Sequence, residues 1–170
     1  MIQVGEFEKV SLEQFKSAVM SEMTGCTEND IRLIYDSIQL PTRATSGSAG
    51  NDFKSPFGFC MCPGATKKIP TGIRVRIDDG WMLAILPRSS LGFKYRLQLD
   101  NTCGIIDSDY YYSDNEGHIF IKITNDTNDG KIVNLKAGDG FAQGIFLPYG
   151  VTYSDNATAV RNGGMGSTGQ

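Results

Sequence analysis

From Pro41 onward, apolar and polar residues alternate with a period of two. Ile73, Val75 and Ile77 are separated by Arg74 and Arg76, and Ile119, Ile121 and Ile123 by Phe120 and Lys122. Successive residues of a strand face opposite sides, so these segments predict half-buried strands. The continuous apolar run over residues 81–86 predicts a strand covered on both faces. Turn signals at Asp79-Gly80, Asn128-Asp129-Gly130 and Gly138-Asp139-Gly140 punctuate the series. Many short strands without intervening helices predict an all-β fold, a jelly-roll-like antiparallel barrel or sandwich, over residues 41–158.

Before Pro41 the period is helical. Ser11 with Gln14 three positions later resembles a capping box, and Leu12, Phe15 and Val19 follow before Gly25 ends the run. Thr27 and Asp30 repeat the signal ahead of Ile31, Ile34 and Ile38, and Pro41 stops it. This predicts two short helices forming a surface arm over residues 1–40. Residues 159–170 have almost no core-forming content beyond Val160 and predict a flexible Gly-rich tail.

Composition narrows the function classes. The chain has 170 residues, 40% of them hydrophobic, which suits one well-buried core. A formal charge of −3 and a pI near 5.1 do not provide the basic surface that nucleic-acid binding needs. No run of about 18 apolar residues is present, and acidic residues interrupt the first twenty positions. The expectation is a cytoplasmic protein, neither membrane-bound nor exported. Cys26, Cys60, Cys62 and Cys103 form no CxxC pair and His118 is the sole histidine, which argues against structural zinc and for buried, reduced thiols.

The candidate chemistry concentrates in residues 87–110. Arg88, Ser89 and Ser90 put a guanidinium fork and two hydroxyls beside a turn, a group suited to phosphate oxygens. Asn101 offers a donor and an acceptor of the kind needed to read a pyrimidine edge. Asp107, after Gly104, Ile105 and Ile106, is a candidate for a partly desolvated general base.

Several separated motifs together resemble one family. RATSGSAGNDF from Arg43, PTGIRV from Pro70, PRSSLGFKY from Pro87, NTCGIIDSDY from Asn101, GDGFAQGIFLP from Gly138 and RNGGMGSTG from Arg161 stand in the order found in the trimeric all-β dUTP pyrophosphatases (dUTPases). The resemblance implies hydrolysis of dUTP to dUMP and pyrophosphate by water attack on the α-phosphorus, which lowers dUTP and supplies dUMP for dTTP synthesis. It gives Asp107 the role of general base. Arg88, Ser89, Ser90 and Gln143 would hold the phosphate chain. Uracil would be read by a β-hairpin through Asn101 and main-chain groups near Gly104, Ile105 and Ile106. Tyr110 would lie against the deoxyribose and exclude a 2′-hydroxyl. The resemblance further implies a homotrimer with shared sites and Mg2+ held mainly by the triphosphate, Asp52 touching it only through water. The tail would act as a lid given by a neighbouring subunit, with Arg161 on phosphate and Met165, Gly166, Ser167 and Thr168 closing over the nucleotide.

Three departures stand out. Met165 occupies the position of the family's stacking aromatic, Arg161 lies one residue closer to Gly163 than the common spacing, and Tyr112 with an apparent insertion over residues 113–116 replaces a glycine. Tyr111 or Tyr112 is therefore a candidate substitute for the missing aromatic. Two alternatives remain: a dCTP deaminase of the same architecture, and a non-catalytic nucleotide-sensing protein with the arm as its partner surface.

Overall fold

A computed structural model describes residues 2–161. Twelve strands occur in the order β1 (Gly5–Lys9), β2 (Thr42–Arg43), β3 (Asn51–Lys54), β4 (Phe59–Met61), β5 (Thr66–Pro70), β6 (Ile73–Ile77), β7 (Trp81–Pro87), β8 (Leu97–Leu99), β9 (Gly104–Ile106), β10 (Phe120–Asn125), β11 (Val133–Leu135) and β12 (Gly140–Pro148). Helices α1 (Leu12–Glu22) and α2 (Glu28–Ser37) lie between β1 and β2, and α3 (Ser89–Tyr95) follows β7. All pairings are antiparallel. A five-stranded sheet has the order β2-β3-β12-β7-β9, a three-stranded sheet β5-β10-β8, and two ribbons join β1 to β6 and β11 to β4. The architecture is the jelly-roll-like all-β fold that the period-two pattern predicts.

The alternation works as expected. Ile73, Val75 and Ile77 of β6 are buried, as are Ile121 and Ile123 of β10, and Leu83, Ala84 and Ile85 fill both faces of β7. Phe53, Phe141 and Ile69 close the core between the sheets.

Three expectations are corrected. Residues 1–40 are no surface arm: Val10, Phe15, Val19 and Ile31 belong to the same buried cluster as the strands. A strand, β1, precedes the helices and pairs with β6, where Glu8 meets Arg74 at 2.8 Å and Glu6 meets Arg76 at 2.6 Å. The stretch after Pro41 also contains helical structure, since Ser89–Tyr95 form α3 and Ser108–Tyr112 a 3-10 turn. The cysteines are free, but Cys60 and Cys62 are exposed, contrary to the expectation of burial.

Ser11 caps α1 by accepting from Gln14 N at 3.1 Å. The reciprocal half of that box comes from a distant residue, because the Ser11 N–H donates to Glu116 Oε2 at 2.7 Å. Thr27 and Asp30 form a complete box on α2.

His118 is fully buried beside Phe15 and Phe120. Its Nε2 accepts from Gly72 N at 2.8 Å, so a neutral ring carries its proton on Nδ1, which has no partner. Burial pushes its pKa down to about 4, against the opposing pull of Glu116. An unfolded histidine takes its proton near 6.5 while the folded one still refuses it. Stability contributed by neutral His118 is thus complete above about pH 6.5, drains away as pH falls, and levels off near pH 4, a loss of roughly 3 kcal/mol. Denaturant titrations across this window will show that slope, and His118→Gln, which still accepts from Gly72, will flatten it.

Candidate active site

The site residues fall into two groups, one at the C-terminal end of β7 and one along its neighbour β9. At the C-terminal end of β7 Arg88 precedes α3, and Ser89 and Ser90 open the helix. The predicted turn is therefore a helix start, whose first N–H groups lack intrahelical partners and suit anions. Arg88 is aimed by two contacts: Nε lies 3.2 Å from Asp52 Oδ1, and Nη1 donates to Gly140 O at 3.4 Å. Asp52 sits inside β3, opposite Gln143 of β12, and its carboxylate orients Arg88. Gln143 Nε2 donates to Pro87 O at 3.0 Å and so pins the last residue of β7. Gly50 permits this packing, since a Cβ there would stand 2.5 Å from Gln143 Oε1. Asp52, Arg88, Ser89, Ser90 and Gln143 line one open cavity of about 450 Å³.

The second group surrounds a cavity of about 470 Å³ between the two larger sheets. Asn101, Gly104, Ile105, Ile106, Asp107, Tyr110 and Arg161 all line it. The expected hairpin is instead a corner between sheets: β8 pairs with β10 and β9 pairs with β7. Thr102 at φ 65 turns it, with Thr102 N donating to Leu99 O at 2.9 Å. Because β9 is the edge of the five-stranded sheet, its outer N–H and C=O groups face no strand among the described residues. Unpaired edge groups are ready donors and acceptors for a planar ligand. Gly104 leans on β7 so closely that an added Cβ would lie 3.3 Å from Ile85 Cβ.

Asp107 follows β9 in extended conformation and leads the 3-10 turn. Its side chain is 44% exposed in the single chain, more open than the desolvated base expected. Arg161 Nη2 donates to its Oδ2, and Arg161 Nε donates to Asp109 Oδ1 at 2.8 Å. Arg161, expected on phosphate in a lid given by a neighbouring subunit, here lies beside Asp107 and Asp109 of its own chain, whose acidic groups attract its guanidinium. Tyr110 is buried, its hydroxyl donating to His118 O and accepting from Asn115 Nδ2, both at 2.8 Å. Burial, the larger influence, raises its pKa.

Sequence reasoning missed Asp100, Phe120 and Lys122, which also line this cavity. Lys122 reads as an outward strand position, yet it pairs with Asp100 at 2.9 Å. Tyr111 and Tyr112 do not line the cavity. The Tyr111 hydroxyl donates to Glu8 at 2.9 Å and its ring receives Arg74 at 4.3 Å, while Tyr112 is 78% exposed. Within one chain, neither reaches this cavity. Met165, Gly166, Ser167 and Thr168 lie outside the described residues.

The two cavities share no residue. Gly104 is paired with Ile85 and Ile106 with Leu83, so Asp107 extends toward the level of Met82. Arg88 is six residues further along β7. At about 3.3 Å per residue, the two lie on the order of 20 Å apart within one chain.

An antiparallel jelly roll with an arginine-serine cavity and a carboxylate cavity between its sheets defines a class of β protein whose site suits a small anionic, hydrogen-bonding ligand. A profile of the dUTPase family matches residues 36–169. Among curated relatives, the deoxyuridine 5'-triphosphate nucleotidohydrolase of Lactococcus lactis is 38% identical over 135 residues, covering 78% of this chain and 89% of the relative. The Salmonella typhi protein of the same name is 37% identical over 139 residues, covering 77% and 87%. Among solved structures, dUTPase from Streptococcus mutans superposes with a TM-score of 0.63 at 31% identity, over 86% of this chain and 97% of that one. A staphylococcal bacteriophage 80alpha dUTPase carrying dUpNHpp superposes with a TM-score of 0.62, over 93% and 98%, at 16% identity, a likeness of fold. The chain belongs to the dUTPase family. β1, α1 and most of α2 precede the matched region.

Proposed function

We propose that this protein hydrolyses dUTP to dUMP and pyrophosphate in a site assembled between copies of the chain, as a homotrimer. The observation that supports this reading most is that Asp107 and Arg88 line separate cavities, about 20 Å apart along the strand direction on each chain. On this reading Asp107 and Arg88 meet one nucleotide when they come from different subunits. Rotational symmetry brings the Arg88 cavity of one subunit to the Asp107 cavity of its neighbour.

In the assembled site, uracil pairs with the free edge of β9 and with Asn101, and Tyr110 packs on the deoxyribose. Cytosine inverts the donor and acceptor pattern at position 4, leaving groups of that edge unsatisfied. Arg88, Ser89 and Ser90 grip the phosphates, with Asp52 and Gln143 holding that turn in place. Asp107 accepts a proton from the water that attacks the α-phosphorus, and pyrophosphate leaves as the new P–O bond forms. Arg161 then exchanges its carboxylate partners for phosphate oxygens.

Among the described residues, no three His, Cys, Asp or Glu side chains gather into a set that could hold a metal. Asp52 is committed to Arg88. These residues do not form a magnesium site. Magnesium enters on this reading as the counter-ion of the substrate, whose phosphate oxygens are hard ligands. A cytoplasmic location belongs to the same proposal. No helix among the described residues is long and apolar enough to cross a membrane.

The test is pyrophosphate release from dUTP, dCTP, UTP and dTTP with magnesium present. Release from dUTP alone is expected. Ammonia released from dCTP would transfer the chain to the deaminase reading.

A further inference from the structure

The insertion at residues 113–116 is built against the tyrosine that lines the carboxylate cavity. Asn115 Nδ2 donates to the Tyr110 hydroxyl at 2.8 Å and contacts His118 O at 3.4 Å, while Asn115 Oδ1 accepts from Gly117 N at 3.2 Å. Gly117, at φ 69, brings the backbone so near that a Cβ would stand 2.9 Å from Tyr110 O. The far end of the insertion is anchored too. Glu116 accepts from both Ser11 N at 2.7 Å and Ser11 Oγ at 2.6 Å, at the start of α1, where a carboxylate also meets the positive end of the helix dipole. Ser11 precedes the region matched by the family profile, and the segment 113–116 meets it behind the cavity.

We propose that Asn115 is a positioning residue for sugar selection: held by the insertion, it fixes the Tyr110 ring against the nucleotide so that a 2′-hydroxyl has no room. This rests on the reading that Tyr110 faces the sugar of dUTP. The Tyr110 hydroxyl has two partners, a donor and an acceptor, and with both engaged the ring cannot pivot about its Cβ. Losing Asn115 leaves one tether, and the ring gains freedom to yield to a ribose.

The experiment compares kcat/KM for dUTP and UTP in the parent, Asn115→Ala, Tyr110→Phe and the double variant, with thermal melts of each. Asn115→Ala is expected to narrow the dUTP preference by about fivefold, the weight of one neutral hydrogen bond, mainly through a lowered KM for UTP. In the Tyr110→Phe background the same substitution is expected to change the ratio no further, since its partner atom is gone. Asn115→Ser, too short to reach Tyr110, serves should the alanine variant fail to fold. An unchanged ratio in a folded variant, or an equal drop in both backgrounds, would overturn the inference. A parent that releases no pyrophosphate from dUTP would instead remove the reading beneath it.

Discussion

Asp107→Asn lowers kcat for dUTP hydrolysis by 10²- to 10⁴-fold, the range a positioned general base supplies. Asparagine matches the size of aspartate and keeps an oxygen for Arg161, so the cavity between the sheets stays filled in the same way. What it lacks is a group able to take the proton of the attacking water. The loss will therefore fall on kcat, with KM changing by no more than a few-fold. Stopped pyrophosphate assays give the first quantity, and calorimetric titration with dUpNHpp checks that binding survives. Turnover within tenfold of the parent would mean that Asp107 is a surface carboxylate paired with Arg161 and nothing more.

Arg88→Ala removes the other half-site. The guanidinium is aimed by Asp52 and by the Gly140 carbonyl, which leaves its remaining N–H groups for phosphate. Charge-assisted hydrogen bonds contribute about 1.5–3 kcal/mol each, so losing two reduces kcat/KM by at least about 100-fold. Arg88→Lys keeps the charge but not the fork and recovers only part of that loss. Asp52→Asn, which weakens the aim without touching the guanidinium, will fall between the two. Equal kcat/KM in Arg88→Ala and the parent would assign the arginine to the ion pair alone.

Much of this organisation was legible in the chain. Period-two stretches found β6, β7 and β10 because each buries one face or both, and the turn glycines at positions 80, 130 and 138 all take positive φ. The helix caps at Ser11 and Thr27 were visible for the same local reason. β1 escaped because Phe7 is its central apolar residue among Glu6, Glu8 and Lys9. Its signal was complementary: Glu6 and Glu8 face Arg76 and Arg74, a match seen only once two distant segments are set antiparallel. Ser89–Tyr95 looks like a turn in the sequence because Ser89, Ser90 and Gly92 are weak helix formers, yet the chain must leave the sheet there, and Leu91 buries one face of α3. The site residues were legible as motifs, whereas their arrangement was not. No local pattern says that Asp107 and Arg88 line separate cavities, and that separation is what calls for a second subunit.

Co-refolding equal amounts of Asp107→Asn and Arg88→Ala tests this division most directly. On the proposed trimer, each variant alone retains about 1% of the parental activity or less. In random mixed trimers, a site that draws its carboxylate from one subunit and its arginine from the next is intact in about one case in four, so pyrophosphate release should return to about a quarter of the parental rate. A mixture no more active than its components would place both groups in one chain's site and contradict the account.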